Sequence, residues 1–233
     1  EIIVKNTLKF LTKTSSILRE NSNSQIIGIT GSCGKTTLKE LLGKTLKKIS
    51  NTTYSPKSFN NKYGVPLSLF NLNQDDDFGI FEIGMDKKGE INNLSKIIKP
   101  DLGIITNISY AHAKNFKNIK HIAIAKSEII GNIKDGGSLI LNADDPFYNF
   151  HKKIAQKRNL KIKSFSLVKK SSEINLHLVK KENMKYKVYI NIDKMTKYFY
   201  IKSNFENHIK NLLAAVSIIT TFKNIKELDS NIF

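Results

Sequence analysis

The sequence predicts an α/β fold, a mostly parallel phosphate-loop sheet with helices on both faces and a β-rich excursion near the carboxyl end. Three observations carry this: apolar runs of strand length alternate with helically spaced apolar stripes, a glycine-rich turn separates the first such run from the helix after it, and from about residue 161 the texture changes to two-residue alternation.

Taken in order, Ile3, Leu8, Leu11, Ile17 and Leu18 are spaced approximately as on one helix face, and a polar run at 21–24 follows. Residues 1–24 are therefore expected to be a lead-in segment, the tail of a preceding domain. Residues 25–30 form an apolar run of strand length, and after the glycine-rich turn Leu38, Leu41, Leu42, Leu46 and Ile49 return at helical spacing. Further strands are expected at 78–83, 102–108 and 138–142, with helices around 91–98 and 119–130. Pro100 and Gly131 should punctuate helix ends, and Asp135-Gly136-Gly137 should turn the chain into the next strand. Residues 174–179 and 185–192 alternate as strands with Lys180-Lys181-Glu182-Asn183 as the hairpin turn, and 206–222 returns to helix. The main domain is thus expected over 25–222, with 223–233 starting a linker to a further domain.

Composition narrows the function classes. The net charge is +18, yet all but two of the 38 basic residues are lysines, the exceptions being Arg19 and Arg158. The lysines occur on nearly every segment without a nucleic-acid-binding motif, so a solvated basic surface is expected, with no nucleic-acid partner. No apolar run approaches the roughly 18 residues of a membrane span. Residues 1–20 carry lysines throughout and lack the pattern of a secretory leader, and Cys33 is the single cysteine. A cytoplasmic monomer is the expectation.

The most specific motif is Gly28-Ile29-Thr30-Gly31-Ser32-Cys33-Gly34-Lys35-Thr36-Thr37, between an apolar strand and an amphipathic helix. Glycines let backbone N–H groups wrap phosphate oxygens, the helix N-terminus favours an anion, Lys35 meets the β/γ phosphates and the Thr36 hydroxyl can ligate Mg²⁺. Ile29 stands where the strict pattern has glycine, so the loop is a variant. Cys33 reads as a small loop residue rather than a nucleophile, since no histidine is near it in sequence. Glu82 closes one strand and His112 follows another, so both could face a single metal ion.

Together with Phe59-Asn60-Asn61-Lys62-Tyr63-Gly64-Val65-Pro66, Phe81-Glu82-Ile83-Gly84-Met85, Thr106-Asn107-Ile108, Ala125-Lys126-Ser127-Glu128-Ile129 and Asn142-Ala143-Asp144-Asp145-Pro146, the phosphate loop resembles the Mur ligases over nearly the whole chain. The resemblance is greatest to the branch that adds D-alanyl-D-alanine to a UDP-linked muramoyl tripeptide. It implies an ATP-dependent carboxylate-amine ligase acting through an acyl phosphate. It implies that Gly31, Ser32, Cys33, Gly34, Lys35, Thr36, Thr37 and Asn211 bind ATP. Thr36, Glu82, His112 and a carbamylated Lys126 would hold Mg²⁺, and Asn60 and Asn61 would lie near the muramoyl substrate. Lys35, Glu82, His112 and Lys126 would be the catalytic set. The family usually has Gly-x-His-Asn where this chain has Phe205-Glu206-Asn207-His208, so Asn207 reads equally well as a helix cap. Folylpolyglutamate synthase and other Mur-type ligases share the loop and chemistry, but Asn60-Asn61 argues against them. A basic phosphate-loop nucleotide-binding protein without ligase activity is the alternative from another class.

Overall fold

The computed structural model describes residues 3–110, 115–193 and 195–233. Its elements run α1 (Thr7–Glu20), β1 (Gln25–Thr30), α2 (Lys35–Leu46), β2 (Thr52–Tyr54), α3 (Gly64–Leu69), β3 (Phe78–Glu82), α4 (Glu90–Ile98), β4 (Leu102–Ile105), α5 (Ile119–Ser127), β5 (Ser138–Asn142), α6 (Tyr148–Lys157), β6 (Lys161–Ser166), β7 (Ile174–Glu182), β8 (Lys185–Ile192), β9 (Met195–Ile201) and α7 (Glu206–Phe222). One sheet holds all nine strands in the order β2-β3-β1-β4-β5-β6-β7-β8-β9. Neighbours are parallel from β2 through β7, and β8 pairs antiparallel with β7 on one side and β9 on the other. The β-rich excursion therefore extends the main sheet.

The central strands are apolar on consecutive residues because both faces are covered. Ile27 and Ile29 point into a cluster with Leu38, Leu42 and Leu46 of α2 and with α7, whereas Ile26 points into the opposite cluster with α3, α4, α5 and α6. Helix α7 is buried from Asn211 through Ile219, and its run Leu212-Leu213-Ala214-Ala215-Val216 lets it lie against both the sheet and α2. Helix α1 packs on α3 and α4, anchored by Arg19, which is 2% exposed and donates to the carbonyls of Ile98 and Lys99 and to the Asp101 carboxylate. Asp101 also accepts from the Ile26 amide, tying this helix to the first strand of the sheet.

Several boundaries differ from expectation. The strand expected at 102–108 ends at Ile105, because residues 106–109 leave the ladder to clasp the glycine-rich loop. The helix expected at 119–130 stops at Ser127 and tightens into a 3₁₀ turn, Glu128–Asn132, which contains Gly131 instead of ending before it. The hairpin turn shortens to Asn183 and Met184, with Asn183 at φ 54°, as two-residue loops require, so residues 180–182 stay in β7. Helix α7 has Phe205 as its N-cap, so Asn207 is inside the helix and caps nothing. Strand β9 and helix α6 carry signals too weak to separate from loop: α6 buries only His151 and Ala155 among its lysines.

Register aligns Ile29 with Glu82, Thr30 with Ile105, and Ile105 with Leu141, which brings the carboxyl ends of the parallel strands to one edge. Ligands of open α/β sheets bind at that edge.

Candidate active site

The glycine-rich loop leaves β1 at this edge. Gly31 has φ 148° and Gly34 has φ 81°, and a Cβ at Gly31 would lie 1.8 Å from Thr106 Oγ1. Gly34 is the N-cap of α2 and supplies no side-chain cap, so the first-turn N–H groups face the loop and favour an anion. The loop is held from the β4 side: the Thr106 hydroxyl donates to the Cys33 carbonyl at 2.7 Å, the Cys33 amide to Asn107 Oδ1 at 2.9 Å and the Ser109 amide to Ser32 Oγ at 2.9 Å. The Ile108 amide in turn donates to Asp145 Oδ2 at 2.7 Å, fixing the clasp to the end of β5.

Two lysines converge on one carbonyl. Lys35 Nζ donates to the Gly31 oxygen at 3.0 Å and Lys126 Nζ to the same oxygen at 2.8 Å. Lys126 is 1% exposed, and burial, with the nearby Lys35 charge, pushes its pKa down to about 7. Folding thus favours its neutral amine. Below about pH 7 both folded and unfolded chains hold this proton; between about 7 and the ordinary 10.5 only the unfolded chain does, so stability rises with pH across that window. We expect urea unfolding to report this rise at no more than about 1.4 kcal/mol per pH unit, and Lys126→Met to remove it.

Glu82, 1% exposed at the end of β3, accepts from the Thr36 hydroxyl at 2.8 Å and from Asn60 Nδ2 at 2.7 Å. Thr36 and Glu82 are hard oxygen donors side by side at the phosphate loop, a set that fits Mg²⁺ held by one carboxylate, a hydroxyl and nucleotide phosphates. Unmodified Lys126 does not fit a metal shell. His112 lies outside the described residues, and among those described no cluster of three His, Cys, Asp or Glu side chains could hold a metal alone.

Clefts open on both sides of the loop. One of about 250 Å³ is lined by Gly34, Thr37, Asn107, His208 and Asn211. The other, about 550 Å³, is lined by Lys35, Asn60, Asn61, Tyr63, Lys87 and Glu90. Asn61 also accepts from the amides of Tyr63 and Gly64 at 3.0 Å each, shaping the start of α3. The fold therefore gathers the loop, Asn60, Asn61, Glu82, Lys126 and Asn211 at one edge. Thr106, Asn107 and Ser109 carry no motif of their own that assigns them a role; their position just after the strand beside β1 is the available signal.

A family model of the Mur ligase middle domain matches residues 29–219. The UDP-N-acetylmuramoyl-tripeptide–D-alanyl-D-alanine ligase of Buchnera aphidicola subsp. Baizongia pistaciae is 35% identical over 218 residues, 94% of this chain and 47% of that protein. The chain thus spans about half the length of the curated relatives it matches. The crystal structure of MurF from Acinetobacter baumannii superposes with a TM-score of 0.88 at 27% identity, over 97% of this chain and 49% of that one. MurF ligase from Thermotoga maritima, solved in complex with ADP, shares the fold with a TM-score of 0.85 at 24% identity, over 100% of this chain and 52% of that one.

Proposed function

The chain belongs to the Mur ligase family, and from that premise we propose that it is the ATP-binding part of a cytoplasmic ligase that adds D-alanyl-D-alanine to UDP-N-acetylmuramoyl tripeptide in peptidoglycan synthesis. The observation that carries this reading is Glu82, held between Thr36 of the phosphate loop and Asn60 of the larger cleft, at the boundary where nucleotide and acceptor would meet.

In the reaction, a carboxylate oxygen of the tripeptide attacks the γ-phosphorus of ATP and ADP leaves, giving an acyl phosphate. The dipeptide amine then attacks the acyl carbon, phosphate leaves with the bonding pair, and the amine gives up a proton. Two anions must approach each other, so neutralising and orienting charge is the main task. Bound Mg²⁺ would supply charge neutralisation at the phosphate oxygens. Lys35 swings from the Gly31 carbonyl to the β/γ phosphates, and the N-terminus of α2 binds them through its amides. Thr36 and Glu82 present oxygen ligands, and Asn60 fixes the carboxylate's orientation. Asn107 and Asn211 line the smaller cleft on the nucleoside side. Lys126, held largely neutral above about pH 7, has the free amine that carbon dioxide needs to form a carbamate, which would place an anion beside the loop.

A chimera tests the reading: residues 25–222 replace the corresponding middle of the Buchnera relative, and the product is followed by mass spectrometry. We expect UDP-muramoyl pentapeptide with one ADP per amide bond. A folded chimera that binds Mg·ATP but accepts only a single amino acid, or joins nothing, contradicts it.

A further inference from the structure

A buried lysine one turn beyond Lys35 has no part in the chemistry above. Lys39 is 0% exposed, pairs with Glu40 at 3.2 Å and donates to the backbone carbonyl of Lys57. Burying a lysine requires partners that offset its desolvation, and here one of them is a carbonyl of a loop 18 residues away in sequence. Lys57 has φ 45°, a left-handed conformation that a non-glycine residue rarely adopts and that persists where surrounding contacts hold it.

That loop grips Glu82 at both ends. The Glu82 amide donates to Ser55 Oγ at 3.3 Å, and Asn60 Nδ2 donates to the Glu82 carboxylate at 2.7 Å. The Asn60 carbonyl also accepts from the Gly84 amide at 2.8 Å, just past the same strand. Lys57 lies between these two grips. Helix α2 therefore reaches Glu82 twice, directly through Thr36 and indirectly through Lys39, Lys57 and Asn60.

We propose that Lys39 is a positioning residue: it pins the 55–60 loop to the phosphate-loop helix, so that Asn60 holds the Glu82 carboxylate in the orientation that receives the magnesium of Mg·ATP. This rests on the reading of Thr36 and Glu82 as magnesium ligands. Lys39 itself touches neither nucleotide nor metal, and its effect appears only in the metal-dependent part of nucleotide affinity.

The test is calorimetric titration of ATP into the native chain and Lys39→Met, each with Mg²⁺ and with EDTA. We expect the gain in affinity brought by Mg²⁺ to fall at least about fivefold in Lys39→Met, with affinity in EDTA within about twofold of native, because the loop amides and Lys35 are untouched. Asn60→Ala breaks the same chain downstream, so Lys39→Met should add little to it. Lys39→Leu, which also lacks the donor, is the second variant should the methionine form unfold. Amide exchange at Asn60 and Gly84 should quicken in either variant while that of β1 and β4 stays unchanged. If the native chain gains nothing from Mg²⁺, the reading of the metal site fails. If it gains and the folded Lys39 variants gain equally, or the effects of Lys39→Met and Asn60→Ala simply add, Lys39 has no positioning role.

Discussion

Gly31→Ala is expected to remove detectable nucleotide binding and to lower folding stability by roughly 2–4 kcal/mol. Its φ of 148° is one that an L side chain rarely adopts, and the new Cβ would sit 1.8 Å from Thr106 Oγ1 and 3.0 Å from the Thr106 amide. Thr106 cannot simply rotate away, because its hydroxyl closes the loop onto the Cys33 carbonyl at 2.7 Å. The Gly31 carbonyl, which receives both Lys35 and Lys126, moves with any backbone adjustment. Urea unfolding and ATP titration measure the two effects. Thr106→Ala in the Gly31→Ala background removes the nearest clashing atom and should recover part of the stability, leaving the conformational strain. A variant that matches native stability and binds ATP within about twofold would show that the loop does not need this backbone.

Lys35→Ala is the second large effect. The charge-assisted hydrogen bonds that Lys35 would give to phosphate are each worth about 1.5–3 kcal/mol, so Mg·ATP affinity should fall about 100-fold while the fold remains. A second consequence separates this from general damage. The Lys35 charge is, after burial, the main cause holding the Lys126 pKa down at about 7, so its removal should raise the Lys126 value. An NMR titration of the Lys126 side chain reports that shift. Unchanged titration with lost affinity would mean that the two lysine side chains do not share the Gly31 carbonyl as they do here.

Much of this architecture was legible from residue order. The run Gln25–Thr30 and the stripe Leu38, Leu42, Leu46 gave the strand-loop-helix unit because consecutive burial on two faces and helical spacing are direct consequences of backbone geometry. Glu82 could be placed at a strand end from the apolar run before it. What the sequence concealed was tertiary. Strand β2 has three residues, too few to show a period, and Lys39 reads as one lysine among many until burial sets it apart. The strand ending early at Ile105 was equally hidden, because residues 106–109 are diverted by partners in a loop more than 70 positions earlier. A carbamate on Lys126, as proposed above, would be a further step that neither spacing nor burial writes into the chain.

The most direct measurement of the central claim, that the phosphate loop and Glu82 form one Mg·ATP site, is calorimetric titration of Mg·ATP into this chain and into Glu82→Gln. Native binding at a single site, with the benefit of Mg²⁺ lost in Glu82→Gln, is the predicted result. No binding by the folded native chain, or equal Mg²⁺-dependent binding by Glu82→Gln, would contradict it.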